Sequence, residues 1–300
     1  MKIERPVLPA IWIDLSSPTR DEIRSLLEER KIPVSLVDEL VSPSERPQAI
    51  MADGVLYAVF HFPKSHKESS DAVEVDFVIG KDFVITAHYE HVDALDHFSK
   101  LVEVESIIEH QNVTAADGPL LFSAILTRLY ENLYDELEVI ESMVHEAEEK
   151  IFTGKEKKMV FVLSRISRMM LNFRKILDPH ERILHQLSEL TGKHFGEAYS
   201  SSILGSFEKV KGALRSESEI VKELQETNSQ LLETKQNEII KTLTIFTVLT
   251  APTALIAAIF TIPASNIPFL GNPHGFLIIM GITLVLSLLL LIFMKIKKWL

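Results

Sequence analysis

Residues 243–262 read LTIFTVLTAPTALIAAIFTI, and residues 276–294 read FLIIMGITLVLSLLLLIFM. Between Thr242 and Met294 there is no Asp, Glu, Lys or Arg. A spanning helix needs about 20 apolar residues to cross a hydrocarbon core about 30 Å thick. Both runs qualify, and the segment 263–275 between them has room only for a turn on the far side. The sequence is therefore expected to form a membrane hairpin attached to a large water-soluble part.

Lys235 and Lys241 precede the first run, and Lys295, Lys297 and Lys298 follow the second. The intervening loop has neither Lys nor Arg, so the positive-inside rule puts both ends of the hairpin on the cytoplasmic side. Trp299 suits an anchor at the same interface. The opening Met1–Pro9 lacks the apolar core of a signal peptide. The expectation is a multi-pass protein of the cytoplasmic membrane, in contact with membrane lipid, with both termini cytoplasmic.

Of 31 basic residues, three lie in the tail 295–300, which leaves 28 against all 42 acidic residues over residues 1–241, a balance of −14. Nucleic acid would want a basic face, so no nucleic-acid partner is expected. An acidic domain can concentrate cations near a pore. It can equally be a surface kept soluble by self-repulsion. There is no cysteine, which excludes disulfides, thiolate metal sites and a cysteine nucleophile.

Residues 1–115 read as an N-terminal α/β cytoplasmic domain with a mixed sheet. Ala10–Leu15 is a strand pattern, and Pro18 opens a helix through about Glu29. Asp53-Gly54 marks a tight turn before the β-type run 55–62. Val73–Ile79 and Phe83–His88 flank Gly80-Lys81-Asp82 as a hairpin. A helix follows from about Val92 to His110.

Residues 116–191 read as an antiparallel helical hairpin. Leu121, Ile125, Leu129, Leu133, Leu137, Ile140 and Val144 recur at helical spacing. Gly154 ends that helix, and Pro179 is expected to kink the next. Residues 196–262 read as one stalk helix that continues into the first span. About 60 residues at 1.5 Å each give a rod of roughly 90 Å. Such a rod needs sheathing by other helices or by copies of itself. An extracytoplasmic loop (263–275), a second span (276–294) and a basic tail (295–300) complete the chain. The fold class is α+β with a stalk helix and a two-helix transmembrane hairpin.

Three stretches carry a resemblance to the CorA family of divalent-cation channels. Asn237–Ile245 looks like that family's approach to the first span. Ala251–Phe260 looks like its Pro-containing middle and end. Lys295–Leu300 resembles the family's C-terminal ending. The family's aromatic-Gly-Met-Asn signature is absent, since Phe260 is followed by Thr261, Ile262 and Pro263. Ala264-Ser265-Asn266 is a displaced equivalent under this reading. The loop has no acidic residue, and His274 is its only titratable side chain.

The resemblance implies a homopentamer whose first span lines an axial pore for a divalent cation, most readily Mg²⁺, with Co²⁺, Ni²⁺ and Zn²⁺ as alternatives. Mg²⁺ dehydrates reluctantly, so a mouth of neutral acceptors can hold its water shell. Asn266 is either that mouth or a turn residue before Ile267-Pro268. Asn237, Ile240, Thr244, Thr247, Ala251, Ala254 and Ala258 fall near one helical face. The family pattern turns this face to the pore, with Leu243 near a cytoplasmic constriction. The alanines are equally explained by close helix packing, and the threonines by bonds to their own helix.

The acidic face from Glu131 to Glu149 is expected to be solvated rather than metal-sensing. Ser200–Gly205 has no acid with which to build a subunit-bridging sensor. His88, His91 and His97 match no strict ligand spacing. No Walker loop, dinucleotide fingerprint or nucleophile elbow is present, so neither catalysis nor a cofactor is expected. A proton-coupled zinc carrier of the ZntB type and a non-conducting scaffold or sensor remain as alternative functions.

Overall fold

The computed structural model describes residues 2–7, 10–44, 46–64, 72–108, 117–191, 197–261 and 273–297. The chain divides into two units, Met1–Gln225 and Glu226–Leu300.

The first unit is built on a six-stranded sheet. Its strands are β1 (Lys2–Val7), β2 (Ala10–Ser16), β3 (Gln48–Ala52), β4 (Val55–Pro63), β5 (Ala72–Ile79) and β6 (Phe83–His88), in the order β1-β2-β6-β5-β4-β3. Only the β2–β6 pair is parallel, with Ile13 opposite Ile85; all other neighbours are antiparallel. Asp53 and Gly54 both take positive φ (47° and 83°), the geometry of a two-residue turn whose twist matches its strands. The β5–β6 hairpin forms where the sequence placed it, with Ile79 opposite Val84.

Helices cover both faces of the sheet. α1 (Arg20–Glu29) starts on a capping box: the Thr19 hydroxyl accepts from the Glu22 backbone N–H, and the Glu22 carboxylate accepts from the Thr19 N–H at 2.8 Å. Ile23, Leu26 and Leu27 of α1 join Leu36, Val37 and Leu40 of α2 (Leu36–Val41) over one face of the sheet. The opposite face carries Trp12, Phe60, Phe62 and Phe77. α3 (Asp93–Ile108) sets Phe98 edge-on to Trp12 at 5.3 Å between ring centroids. α4 (Gly118–Phe152) sets Phe122 against Phe77 at 5.2 Å. Because both faces are covered, β6 is buried at every position, which explains why its sequence does not alternate apolar with exposed polar residues.

α4 opens on Asp117, whose carboxylate accepts from the Leu120 N–H, with Pro119 in the first turn. All seven apolar positions expected on its inner face, from Leu121 to Val144, are buried. Gly154 (φ 87°) turns the chain into α5 (Glu156–Thr191), which stays helical through Pro179. α6 then runs without a break from Glu197 to Thr261, through Pro252. Its N-terminal part belongs to the first unit, where Phe207 packs on Tyr130 at 5.6 Å.

The second unit contains the rest of α6 and α7 (Gly275–Ile296). These two are the described helices long and apolar enough to cross a membrane, and an apolar stretch of 18 residues in each has no buried residue. A single chain leaves these faces open, as expected for surfaces that meet lipid or other copies.

Candidate ion pathway

The apolar half of α6 carries a polar and small-residue stripe. At about 100° per residue, Asn237, Ile240, Thr244, Thr247, Ala251, Ala254 and Ala258 fall within an arc of about 100°. All seven are exposed. Ile240 is 50% exposed and Leu243, at the edge of the same arc, 63% exposed, so both apolar side chains are available to a neighbour.

Each threonine on this half that has a described bond gives its proton back to the helix. The Thr244 hydroxyl donates to the Ile240 carbonyl oxygen at 2.8 Å, and that of Thr247 to Leu243 at 2.9 Å. Thr242 and Thr250 do the same to Glu238 and Phe246 at 2.9 and 3.0 Å. A hydroxyl has one proton and two lone pairs. Once the proton is committed to i−4, the oxygen is left as an acceptor. Water molecules around a cation point their protons outward, so a row of such acceptors suits a hydrated cation and offers an anion nothing. Pro252 has no N–H, which leaves the Val248 carbonyl without its helical partner and adds one more acceptor at this depth.

Comparison with known proteins fits this layout. The model of the family described as "CorA-like Mg2+ transporter protein" matches residues 9–298. The chain belongs to the CorA-like family. Cobalt/magnesium transport protein CorA of Methanocaldococcus jannaschii is 22% identical over 96% of this chain and 91% of its own length. A putative metal ion transporter, YfjQ of Bacillus subtilis, is 22% identical over 99% of this chain and 92% of its own length. The complete structure of the M. jannaschii CorA magnesium transporter superposes with a TM-score of 0.82 at 19% identity, covering 97% of this chain and 92% of that one. The full-length CmaX protein superposes with a TM-score of 0.72 at 16% identity, covering 97% and 90%. The CorA and YfjQ relatives carry names of transporters.

Within this CorA-like chain, Asn266 lies outside the described residues, as do Lys298 and Trp299. The stripe from Asn237 to Ala258 is brought together only in the sense that one helix face holds it. The three histidines are not brought together as a ligand set. Nδ1 of His88 donates to the Glu90 carbonyl at 2.6 Å, while Nε2 lies 3.4 Å from Asp14 Oδ1. Burial opposes charge on that ring, but the hydrogen bond and charge of Asp14 outweigh it and hold the His88 pKa above the ordinary histidine value. His91 instead meets Asp93 at 2.9 Å on the surface, and His97 is exposed. Among the described residues no group of three or more His, Cys, Asp or Glu could hold a metal ion.

The acidic face of α4 is largely solvated. Glu131 pairs with Arg128 at 2.8 Å, and Glu146 pairs with Lys150 one turn on. Sequence reasoning missed two buried polar networks in the soluble unit. In one, Trp12 Nε1 donates to the Thr86 hydroxyl at 3.0 Å, which donates to Asp14 at 2.6 Å. In the other, the Tyr57 hydroxyl donates to Asp76 at 3.0 Å. Burial, with Glu74 and Glu39 nearby, pushes Asp76 up to about 8 against the Tyr57 hydrogen bond. The available signal was an acidic residue inside an otherwise apolar strand, as in Val75-Asp76-Phe77.

Proposed function

We propose that the chain assembles as a homopentamer in the cytoplasmic membrane and passes divalent cations, Mg²⁺ first among them, along an axis lined by α6. The observation that carries this reading is the exposed stripe on α6, with hydroxyl oxygens at Thr244 and Thr247 left as acceptors inside a stretch without formal charge. Neutral acceptors hold a hydrated divalent ion without binding it too tightly to leave. Small side chains at Ala251, Ala254 and Ala258 leave room for the water shell. Ile240 and Leu243 form the apolar constriction, which closes by dewetting. Asn266 supplies a ring of amide oxygens at the outer mouth.

Movement is passive under this reading. Each elementary charge gains about 2.3 kcal/mol per 100 mV of membrane potential, so a divalent cation gains about twice that. Residues 1–241, at −14, raise the local cation concentration on the cytoplasmic side. No resident cofactor takes part.

The test is ion flux in proteoliposomes of the purified protein, across Mg²⁺, Zn²⁺, Co²⁺ and Ni²⁺ at two pH gradients. Potential-driven flux that ignores the pH gradient is the expected result. Zinc flux that follows the pH gradient would replace the channel with a proton-coupled carrier. Absence of flux for all four ions would make the protein a scaffold or sensor on the same frame, a reading motivated by the missing signature and the uncharged loop.

A further inference from the structure

The soluble unit is strongly acidic, yet the described residues that line one cavity in it include four basic side chains and no carboxylate. The cavity, about 340 Å³, lies where the segment before β3 and the strand β4 meet α5. Among the described residues, Arg46, His61, Lys175 and Arg182 line it and no carboxylate does. Among the described residues, Arg46, Lys175 and Arg182 have no carboxylate within ion-pair distance, whereas Arg174 on the same helix pairs with Asp178 at 3.8 Å. Like charges that line one cavity repel one another, and an anion between them removes that cost.

The remaining lining fits the same ligand. Asn172 adds an amide that can donate. Nε2 of His61 faces two acceptors, the Ser44 carbonyl at 3.0 Å and Glu74 Oε2 at 3.1 Å, so Nε2 carries the proton. Glu74 is occupied by that imidazole and by the Ser44 N–H at 2.9 Å, and it is not among the described residues that line the cavity. The other wall is apolar, made by Ile176, Pro47 and Pro179.

We infer that this cavity between β4 and α5 is a binding site for a small phosphate-bearing anion. Arginine guanidinium groups match phosphate oxygens in pairs, and Lys175 adds a point charge. The volume falls in the range of small-molecule sites, about 300–1,000 Å³. The apolar wall faces the organic part of an ester such as a nucleotide. The site is independent of ion conduction: it stands or falls on its own charges.

Isothermal titration of the full-length protein in detergent, in metal-free buffer, tests it with three probes: inorganic phosphate, pyrophosphate and ATP. Saturable binding of pyrophosphate and ATP is expected, weakening as salt is raised. Tighter binding of ATP than of pyrophosphate would make the source a nucleotide; equal binding would show that the phosphate groups alone are read. The double variant Lys175→Gln, Arg182→Gln removes two charges from the exposed side of α5. It should lose at least about tenfold in affinity, since one charge-assisted hydrogen bond alone is worth about that much. Lys100→Gln, on α3, should change nothing. The proposal is overturned if none of the three anions saturates below about 1 mM, the weak end of specific binding. It is also overturned if the double variant, with unchanged circular dichroism and elution volume, binds as the parent does.

Discussion

The Tyr130 hydroxyl lies 2.9 Å from Nδ1 of His180, and Nε2 of the same ring lies 2.8 Å from the His61 carbonyl oxygen. A carbonyl only accepts, so Nε2 carries the proton and Nδ1 accepts from Tyr130. The neutral tautomer is thereby fixed. The ring is fully buried among Phe60, Phe62, Tyr130 and Phe207. It joins β4, α4, α5 and the start of α6 in one polar knot. Burial drives the His180 pKa down to about 3.

Tyr130→Phe should destabilise the soluble unit by about 1–3 kcal/mol, because a buried imidazole nitrogen loses its donor. The ring volume is nearly kept, so packing loss adds little. His180→Leu should cost at least as much, since it strands both the Tyr130 hydroxyl and the His61 carbonyl. Thermal unfolding of the detergent-solubilised protein reads both. An unchanged midpoint in Tyr130→Phe would mean that the hydrogen bond is not made.

Asp76 gives a pH effect of the opposite sign. Its carboxyl has a pKa of about 8 when folded against 3.8 as a reference, so between these values the folded state holds a proton that the unfolded state has lost. Its contribution to stability is full below 3.8 and disappears as pH rises through 8. Asp76→Asn keeps an oxygen for the Tyr57 hydroxyl and removes the titration. The variant should unfold at a higher temperature than the parent at pH 8–9, with no such advantage near pH 4. In that background the effect of His180 is left in view. Its folded pKa is depressed, so stability should be full above 6.5 and fall as pH drops toward 3, by up to about 1.4 kcal/mol per pH unit. Parallel pH profiles for Asp76→Asn and the parent would remove the assignment to Asp76.

Periodicity and composition made most of this architecture legible. The seven inner positions of α4, the Asp53-Gly54 turn and the two uncharged runs each obey a local rule, and each rule was sufficient. Three elements were missed because their signals were local and weak. β1 contains Pro6 and only one side of its hydrogen bonding is used, at the sheet edge. α2 is six residues between prolines, held by burial of Leu36, Val37 and Leu40 rather than by propensity. β3 is paired by the turn that follows it. The polar knots were illegible for a different reason. Tyr130 and His180 are fifty residues apart, and nothing in either neighbourhood names the other. The stripe on α6 could be drawn from spacing, because a single helix defines it.

Gly118 marks where α4 docks on the β5–β6 turn. Its N–H donates to the Lys81 carbonyl at 2.8 Å. A Cβ there would run into the Gly80 carbonyl oxygen and lie 2.8 Å from that of Phe83. Both obstacles are backbone within a buried hairpin, so neither can swing away. Gly118→Ala should therefore destabilise, despite the better helix propensity of alanine, by about 1–3 kcal/mol. A rise in the unfolding midpoint would show that the helix start can slide off the turn at no cost.

The α6 stripe makes its own demand on function. If Thr244 and Thr247 supply acceptors to a passing hydrated ion, replacing either hydroxyl by the isosteric methyl of valine removes a ring of oxygens while keeping shape. Thr244→Val and Thr247→Val should each lower divalent flux several-fold or more with oligomer size unchanged. Their back-bonds to Ile240 and Leu243 contribute little to the helix, so assembly should survive. Ala254→Leu tests the other requirement, room for the water shell, and should cut flux by at least about tenfold, the factor that 1.4 kcal/mol of added barrier produces. Thr253→Val serves as the control, because position 253 lies off the stripe by about 100° from Ala254. Equal flux in Thr244→Val, Ala254→Leu and the parent would turn this face of α6 away from the ion path. The same assay reads Asn266→Ala: loss of flux in an intact oligomer supports an amide ring at the mouth, and unchanged flux and ion selectivity return Asn266 to the role of a turn residue.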